Sequence, residues 1–266
     1  MRKLGFEGAI LAALVLSFAG IARAEPPAWP AGVDLSRGVD IDEDYRAQFH
    51  LCDTNAETRG ADATFRRGCR GDPNRVTALR RLPSGAIAFV SKLAIDFDGS
   101  PLACGPNRDR SDQCGTSLML PDANGVRTPV NADRVPYVVI PRRAPDAPGG
   151  QFSQLTGVRV GDFGVAIWGG RVVPVIVADT GPYDRLGEGS LALHRALGHE
   201  QCAARDPDDT CVQAKFQLSI ESDVVTVLFP GTAQPGLTAE QVEQTVRTEG
   251  ARLWAAHQAE VLAAGR

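Results

Sequence analysis

Two carboxylates stand out by their position in the chain. The stretch from Val172 to Gly198 reads VVPVIVADTGPYDRLGEGSLALHRALG. Its apolar run, Val172 to Ala178, ends on Asp179, and Glu188 follows nine residues later between Gly187 and Gly189. A carboxyl at the end of a buried strand sits where water is scarce. Desolvation disfavours its charged form, which suits a proton donor near neutral pH. A second carboxylate across a gap can activate water, and such a pair can act as acid and base on a glycosidic bond. The same residues allow a plainer reading: Asp179 as an Asx-turn cap before Thr180-Gly181-Pro182, and Glu188 as an ordinary acid near a helix N-terminus.

A second acidic pair, Asp96 and Asp98 in IDFDGSP, comes at the end of another strand. It suits the floor of a site that binds amine-bearing groups, or a self-satisfied turn. The DxDG start of a calcium loop is present, but no Glu follows at the position an EF-hand needs, so calcium is discounted. No zinc site is expected either: there is no CxxC, and His50, His194, His199 and His257 show no ligand spacing. Asp-Thr-Gly after an apolar run is also an aspartic-protease signature. That chemistry needs two such aspartates to share a proton, and the chain has one copy.

The elements that must position these residues are mostly strands. Ile87 to Val90, Leu93 to Phe97 and Val135 to Ile140 are short and β-prone. Phe163 to Trp168 and Arg171 to Ala178 flank Gly169-Gly170, a hairpin signal. Phe216 to Ile220 and Val224 to Phe229 read as a further pair. Leu191 to Leu197 is a short helix capped by Ser190 and closed by Gly198. From Leu237 the pattern turns helical. Thr238 and Gln241 form a capping box, Val242, Val246, Leu253, Trp254, Val261 and Leu262 share one face, and Gly250 is a candidate kink.

The 266-residue sequence opens as an export signal. Arg2 and Lys3 precede an apolar run, Ala9 to Ala19, too short for a stable membrane span, and Ala22-Arg23-Ala24 fits signal peptidase. Without residues 1–24, which hold Arg2, Lys3, Arg23 and Glu7, the formal net charge moves from −4 to −6. That argues against a nucleic-acid partner and is compatible with a cationic one. Six cysteines in an exported chain suggest disulfides, and their sequence neighbours suggest Cys52–Cys69, Cys104–Cys114 and Cys202–Cys211. Residues 25–38 read as a Pro-rich, poorly ordered leader. The expected organisation is a signal peptide (1–24), an N-terminal extension packed on the core (25–82), a catalytic domain (83–235) and a C-terminal helix (236–266).

Three segments taken together resemble a known family. SKLAIDFDGSP (Ser91 to Pro101), VPYVVIP (Val135 to Pro141) and GVAIWGGRVVPVIVADTGPYDRLGEGSLAL (Gly164 to Leu193) are similar, in order, to the fungal-type chitosanases of glycoside hydrolase family 75. The resemblance spans Ile87 to about Gly231. It implies that Asp179 and Glu188 are the catalytic carboxylates of an inverting, endo-acting hydrolase of β-1,4-linked glucosamine chains. Asp96, Asp98, Lys92, Tyr183 and Thr180 then become the substrate-binding set, with Trp168 either stacking on a sugar or buried in the core. The chain departs from the family at Phe97, where a cysteine is usual. It departs again at Thr180-Gly181-Pro182, which looks more like the double-psi barrels of bacterial septal and lytic transglycosylase proteins. Both resemblances imply a mainly β fold: a six-stranded double-psi β-barrel-like core with short helices and a C-terminal helix. The expected protein is a secreted or periplasmic monomer with a polysaccharide substrate, chitosan, no cofactor and no metal. Two further readings stay open: a peptidoglycan-cleaving lytic enzyme working with one acid, and a glycan-binding barrel without turnover.

Overall fold

A computed structural model describes residues 33–43, 46–47, 49–50, 73–105, 113–142, 152–215 and 219–264. The signal region and the expected Cys52–Cys69 bridge lie outside the described residues. In chain order the strands and helices are β1 (Val39–Asp40), β2 (Ala78–Arg81), β3 (Ile87–Asp96), α1 (Pro101–Cys104), β4 (Met119–Pro121), β5 (Arg127–Pro129), β6 (Tyr137–Pro141), α2 (Phe152–Thr156), β7 (Phe163–Trp168), β8 (Arg171–Gly181), β9 (Glu188–Ser190), α3 (Leu191–Ala196), β10 (Cys202–Arg205), β11 (Cys211–Ala214), β12 (Ile220–Leu228) and α4 (Val242–Ala264).

Six strands close into a mixed barrel in the order β3-β12-β7-β8-β6-β9, with β9 returning to β3. This is the expected class of core. The β6–β8 and β3–β9 pairings are parallel, and the other barrel pairings are antiparallel. β3 shares one edge between two partners: β2 takes Ile87 to Val90, and β9 takes Ala94 to Asp96. The extension preceding Leu82 therefore joins the same sheet through β2 and β1.

Alternation along the strands separates two faces. Phe89, Leu93, Val138, Val175, Val177 and Val224 form one buried cluster inside the barrel. Val165, Ile167, Val225 and Val227 face outward under Trp254, while Tyr137, Val139, Phe163, Ile176 and Ala178 face outward under Val242 and Val246. Burial on both faces explains why these strands read as near-continuous apolar runs rather than alternating ones.

Several boundaries differ from expectation. The two strands expected around Ser91 are one ten-residue strand, because β12, β2 and β9 pair with its whole length. Ile220 and Val224 likewise belong to one strand, interrupted only by a register shift opposite Ser91–Leu93; residues 216–218 lie outside the described residues. Val33 and Leu35, assigned to a loose leader, are buried with Trp254. Helix α4 runs unbroken past Gly250. That glycine is a point of close approach, since a Cβ there would lie 2.7 Å from Pro174 Cβ and 3.0 Å from Gly164 O. The Gly169-Gly170 hairpin forms as expected, and Ser190 caps α3 by accepting the Leu193 N–H at 3.1 Å. The Cys104–Cys114 and Cys202–Cys211 disulfides also form as expected. No described helix is long and apolar enough to cross a membrane.

α3 is tied to the barrel by His194, which is fully buried, with Nε2 3.2 Å from Ala94 O on β3. Burial holds its imidazole down at about 4, below the ordinary 6.5. A folded value below the unfolded one means that the neutral ring stabilises the fold above pH 6.5, and that this is lost as pH falls from 6.5 toward 4. The loss amounts to about 3 kcal/mol. Urea midpoints measured at neutral pH and again on acidification should fall steeply for the wild type across that window, and less for His194→Gln.

Candidate functional site

The site is built on the outer face of the barrel, where β8, β6, β9 and β3 lie side by side. Val139 on β6 is paired with Asp179 on one flank and with Glu188 on the other, and Glu188 is paired with Ala94 on β3. Paired residues present their side chains to the same face. Asp179, Val139, Glu188 and Ala94 thus form one cross-strand row, and Asp96 extends it two residues along β3.

Asp179 reaches this face through a β-bulge. Val138 pairs with Val177, but the next residue, Val139, pairs with Asp179, so Ala178 is an extra residue in β8. Strict alternation after the inward Val177 would send Asp179 into the barrel. The bulge turns it outward. The carbonyl of Ala178 is taken by the N–H of Leu118 at 2.8 Å. The neighbouring Ser117 donates its N–H (2.9 Å) and its hydroxyl (2.6 Å) to Asp179 Oδ1, which also accepts the Thr180 N–H at 2.7 Å. The strand runs on through Gly181, because Ile140 and Pro141 keep pairing beyond Asp179. Asp179 is therefore not at the start of a turn.

Glu188 opens β9, the strand that closes the barrel, and β9 leads directly into α3, as expected of a residue just before a short helix. Its approach is set by two devices. The buried amide of Asn74 grips the incoming loop, donating to Asp184 O (2.8 Å) and accepting from the Leu186 N–H (3.2 Å). Gly187 has φ +94°, and a Cβ there would lie 2.4 Å from Lys92 O and from Ser91 Oγ. Glu188 reaches across Val139 toward β8: its Oε2 lies 3.1 Å from the position a Cβ on Gly181 would take. Two strand spacings separate the backbones of Asp179 and Glu188, about 10 Å.

Three buried aspartates gather at the row. Asp96, Asp98 and Asp179 are 6%, 8% and 7% exposed, and one carboxylate oxygen from each lies within 4.8 Å of the others. Asp96 Oδ1 accepts the Asp98 N–H at 2.8 Å. Asp98 Oδ1 accepts the Gln113 N–H at 2.7 Å, which ties it to the end of the Cys104–Cys114 loop. Tyr137, buried under the row, donates its hydroxyl to Asp98 O at 3.0 Å. Burial, followed by the charges of Glu188, Asp98 and Asp179, pushes the Asp96 carboxyl well above the usual carboxylate range. Burial and the same aspartates hold the Tyr137 phenol well above 10, in its neutral form.

The three aspartate oxygens are spaced as a hard cation would use them. Asp179 Oδ1 already accepts three N–H and O–H donors, which leaves that oxygen little capacity for a cation. Of the expected binding residues, Asp96 and Asp98 join Asp179 directly. Lys92 is buried on the same face of β3 as Asp96, four residues earlier. Thr180 is half-buried beside Asp179, with its hydroxyl 2.8 Å from Ser117 Oγ, and Tyr183 is half-buried in the loop that leads to β9. Trp168 lies at the far end of β7, edge-on to His199 with ring centroids 6.0 Å apart, away from the carboxylates. Ser117 and Tyr137 were not singled out from sequence. Ser117 lies in a stretch with no motif, and Tyr137 reads only as one more apolar strand residue.

Two cavities among the described residues lie apart from this site. One of about 200 Å³ lies against Ser84 and His257, and one of about 270 Å³ lies between α3 and α4. Neither touches the carboxylate row. No protein-family model matches the chain, and no curated protein sequence matches it.

Replacing Gly187 by alanine should strain a left-handed backbone and force β9 away from β3. We expect a loss of about 2–4 kcal/mol in chemical unfolding. A variant with wild-type stability would show that the glycine does not set the position of Glu188.

Proposed function

We propose that this protein is an exported glycoside hydrolase that cleaves β-1,4 linkages of chitosan with inversion, using Asp179 and Glu188. The observation that carries the reading is the single row in which the two carboxylates flank Val139, about 10 Å apart at the backbone. Inverting enzymes keep their carboxyl groups roughly 6.5–9.5 Å apart to admit a water molecule. Glu188 leans toward β8, with Oε2 3.1 Å from the position a Cβ on Gly181 would take.

In this mechanism the sugar chain lies across β8, β6 and β9. Asp179 protonates the oxygen of the leaving sugar. Glu188 takes a proton from a water molecule that attacks the anomeric carbon from the opposite face. Asp98 adds negative charge beside the row, which favours a polymer carrying ammonium groups. Thr180 and Tyr183 border the carboxylates from β8 and from the loop before β9. The resemblance to the fungal-type chitosanases supports the pairing, because an aspartate after the apolar strand and a Gly-Glu before a Ser-led helix occupy the same places in both.

Reducing-end release from chitosan tests the assignment. Asp179→Asn and Glu188→Gln should each lose about 10²–10⁴-fold in rate. Proton NMR of the first product should show the α-anomer. Full activity in either variant removes that residue from the mechanism. Anhydro-sugar products from peptidoglycan would replace the reading with a single-acid lytic one, and chitosan retention without any product would replace it with a binding function.

A further inference from the structure

We propose that Asp96 and Asp179 share one proton and act together as the general acid, with Asp96 positioning the proton that Asp179 delivers. The inference rests on the reading of Asp179 as the proton donor and adds a partner to it.

The hydrogen bonds around the three aspartates are unequal. Asp179 Oδ1 accepts three, from the Ser117 N–H, the Ser117 hydroxyl and the Thr180 N–H. Asp96 Oδ1 accepts one, the Asp98 N–H at 2.8 Å. The Tyr137 hydroxyl donates to the Asp98 carbonyl oxygen at 3.0 Å.

The surrounding charges favour retention of a proton in the cluster. Asp96 is faced by Asp98 from its own turn, by Asp179 from β8, by Glu188 from β9 and by the neutral Tyr137 from β6, with Lys92 further back on its own strand. Three carboxyls buried with oxygens inside 4.8 Å of one another cannot all ionise at modest cost. Asp179 Oδ1 accepts two N–H groups and one hydroxyl, all of which favour a charge on that residue. Asp98 Oδ1 accepts one N–H. Asp96 accepts one N–H and is surrounded by Asp98, Asp179 and Glu188, and burial with these charges raises its carboxyl.

The step balances as follows. The C1–O bond breaks with its electron pair on the leaving oxygen, which takes the shared proton. Water adds to C1 and gives its proton to Glu188. Both aspartates are then ionised side by side, an unfavourable state that recaptures a proton through solvent from Glu188. The net change is addition of one water across the bond.

Asp96→Asn is nearly isosteric and removes the titrating group, and Asp96→Ser replaces it if the amide fails to fold. Wild-type protein at neutral pH should show the infrared carbonyl band of a protonated carboxylic acid, and the variant should lose it. On a soluble glucosamine oligomer the variant should lose about 10²-fold in kcat. The alkaline limb of its kcat/KM profile should move to lower pH by about one unit, because a proton is no longer retained between two carboxyls. On the dinitrophenyl glycoside of a glucosamine dimer, whose leaving group needs no acid, the loss should shrink to about threefold.

No such band in the wild type, or a band unchanged by the variant, overturns the shared proton. Equal losses on both substrates with an unmoved limb overturn the catalytic role of Asp96 and leave it structural. Wild-type protein that shows the band but cleaves no glucosamine polymer overturns the proposed function, and with it the use of the proton as a catalytic acid, while the proton-sharing pair itself stands.

Discussion

A single extra residue in β8 decides which side of the barrel the chemistry lies on. Val177 points inward with Val175, and without Ala178 as a bulge residue the next carboxylate would follow it into an apolar interior. There it would have neither donors nor substrate. The bulge instead sets Asp179 opposite Val139, in line with Glu188. The carbonyl it displaces is taken up by Leu118, and the segment that supplies this bond also supplies the donors of Ser117. Backbone irregularity and carboxylate solvation are thus settled by the same short stretch of chain.

Closure of the barrel brings in the other half. β9 is only three residues long, yet it pairs on both edges, and Glu188 is its first residue. A strand this short has little pairing of its own to hold it. Its position depends on Asn74 gripping the preceding loop and on Gly187 passing close to the backbone of Lys92. The stability of the fold and the placement of the second carboxylate therefore share the same contacts.

The electrostatics follow from this geometry. Asp96 and Asp98 from the end of β3 and Asp179 from β8 come together across β6 and β9, with carboxylate oxygens within 4.8 Å of one another and beside a buried tyrosine. Water is largely excluded, so the cluster must dispose of its charge through hydrogen bonds and a retained proton rather than by solvation. Sequence reading placed the elevated proton affinity on Asp179 because it ends an apolar strand. In the structure burial and neighbouring acids raise the carboxyl of Asp96, while Asp179 accepts three hydrogen bonds.

Much of the fold was legible in the residues. Apolar runs marked the strands, Gly169-Gly170 the hairpin, Ser190 the start of α3, and close cysteine spacing the 104–114 and 202–211 bridges. All of these are local signals, carried by propensity, turn chemistry or short loop closure. The sequence also brought Asp96, Asp98, Asp179 and Glu188 forward as carboxylates near strand ends. It could not show that they meet, since their meeting depends on which strands are neighbours and in what register. The bulge at Ala178, the double pairing of β9, the donors from Ser117 and the hydroxyl of Tyr137 all lie in pairings between segments far apart in the chain. Residue type alone determined that the chain holds the acids for the chemistry. Only tertiary structure decided which way each one faces, because in a sheet one residue of register reverses the side on which a side chain emerges.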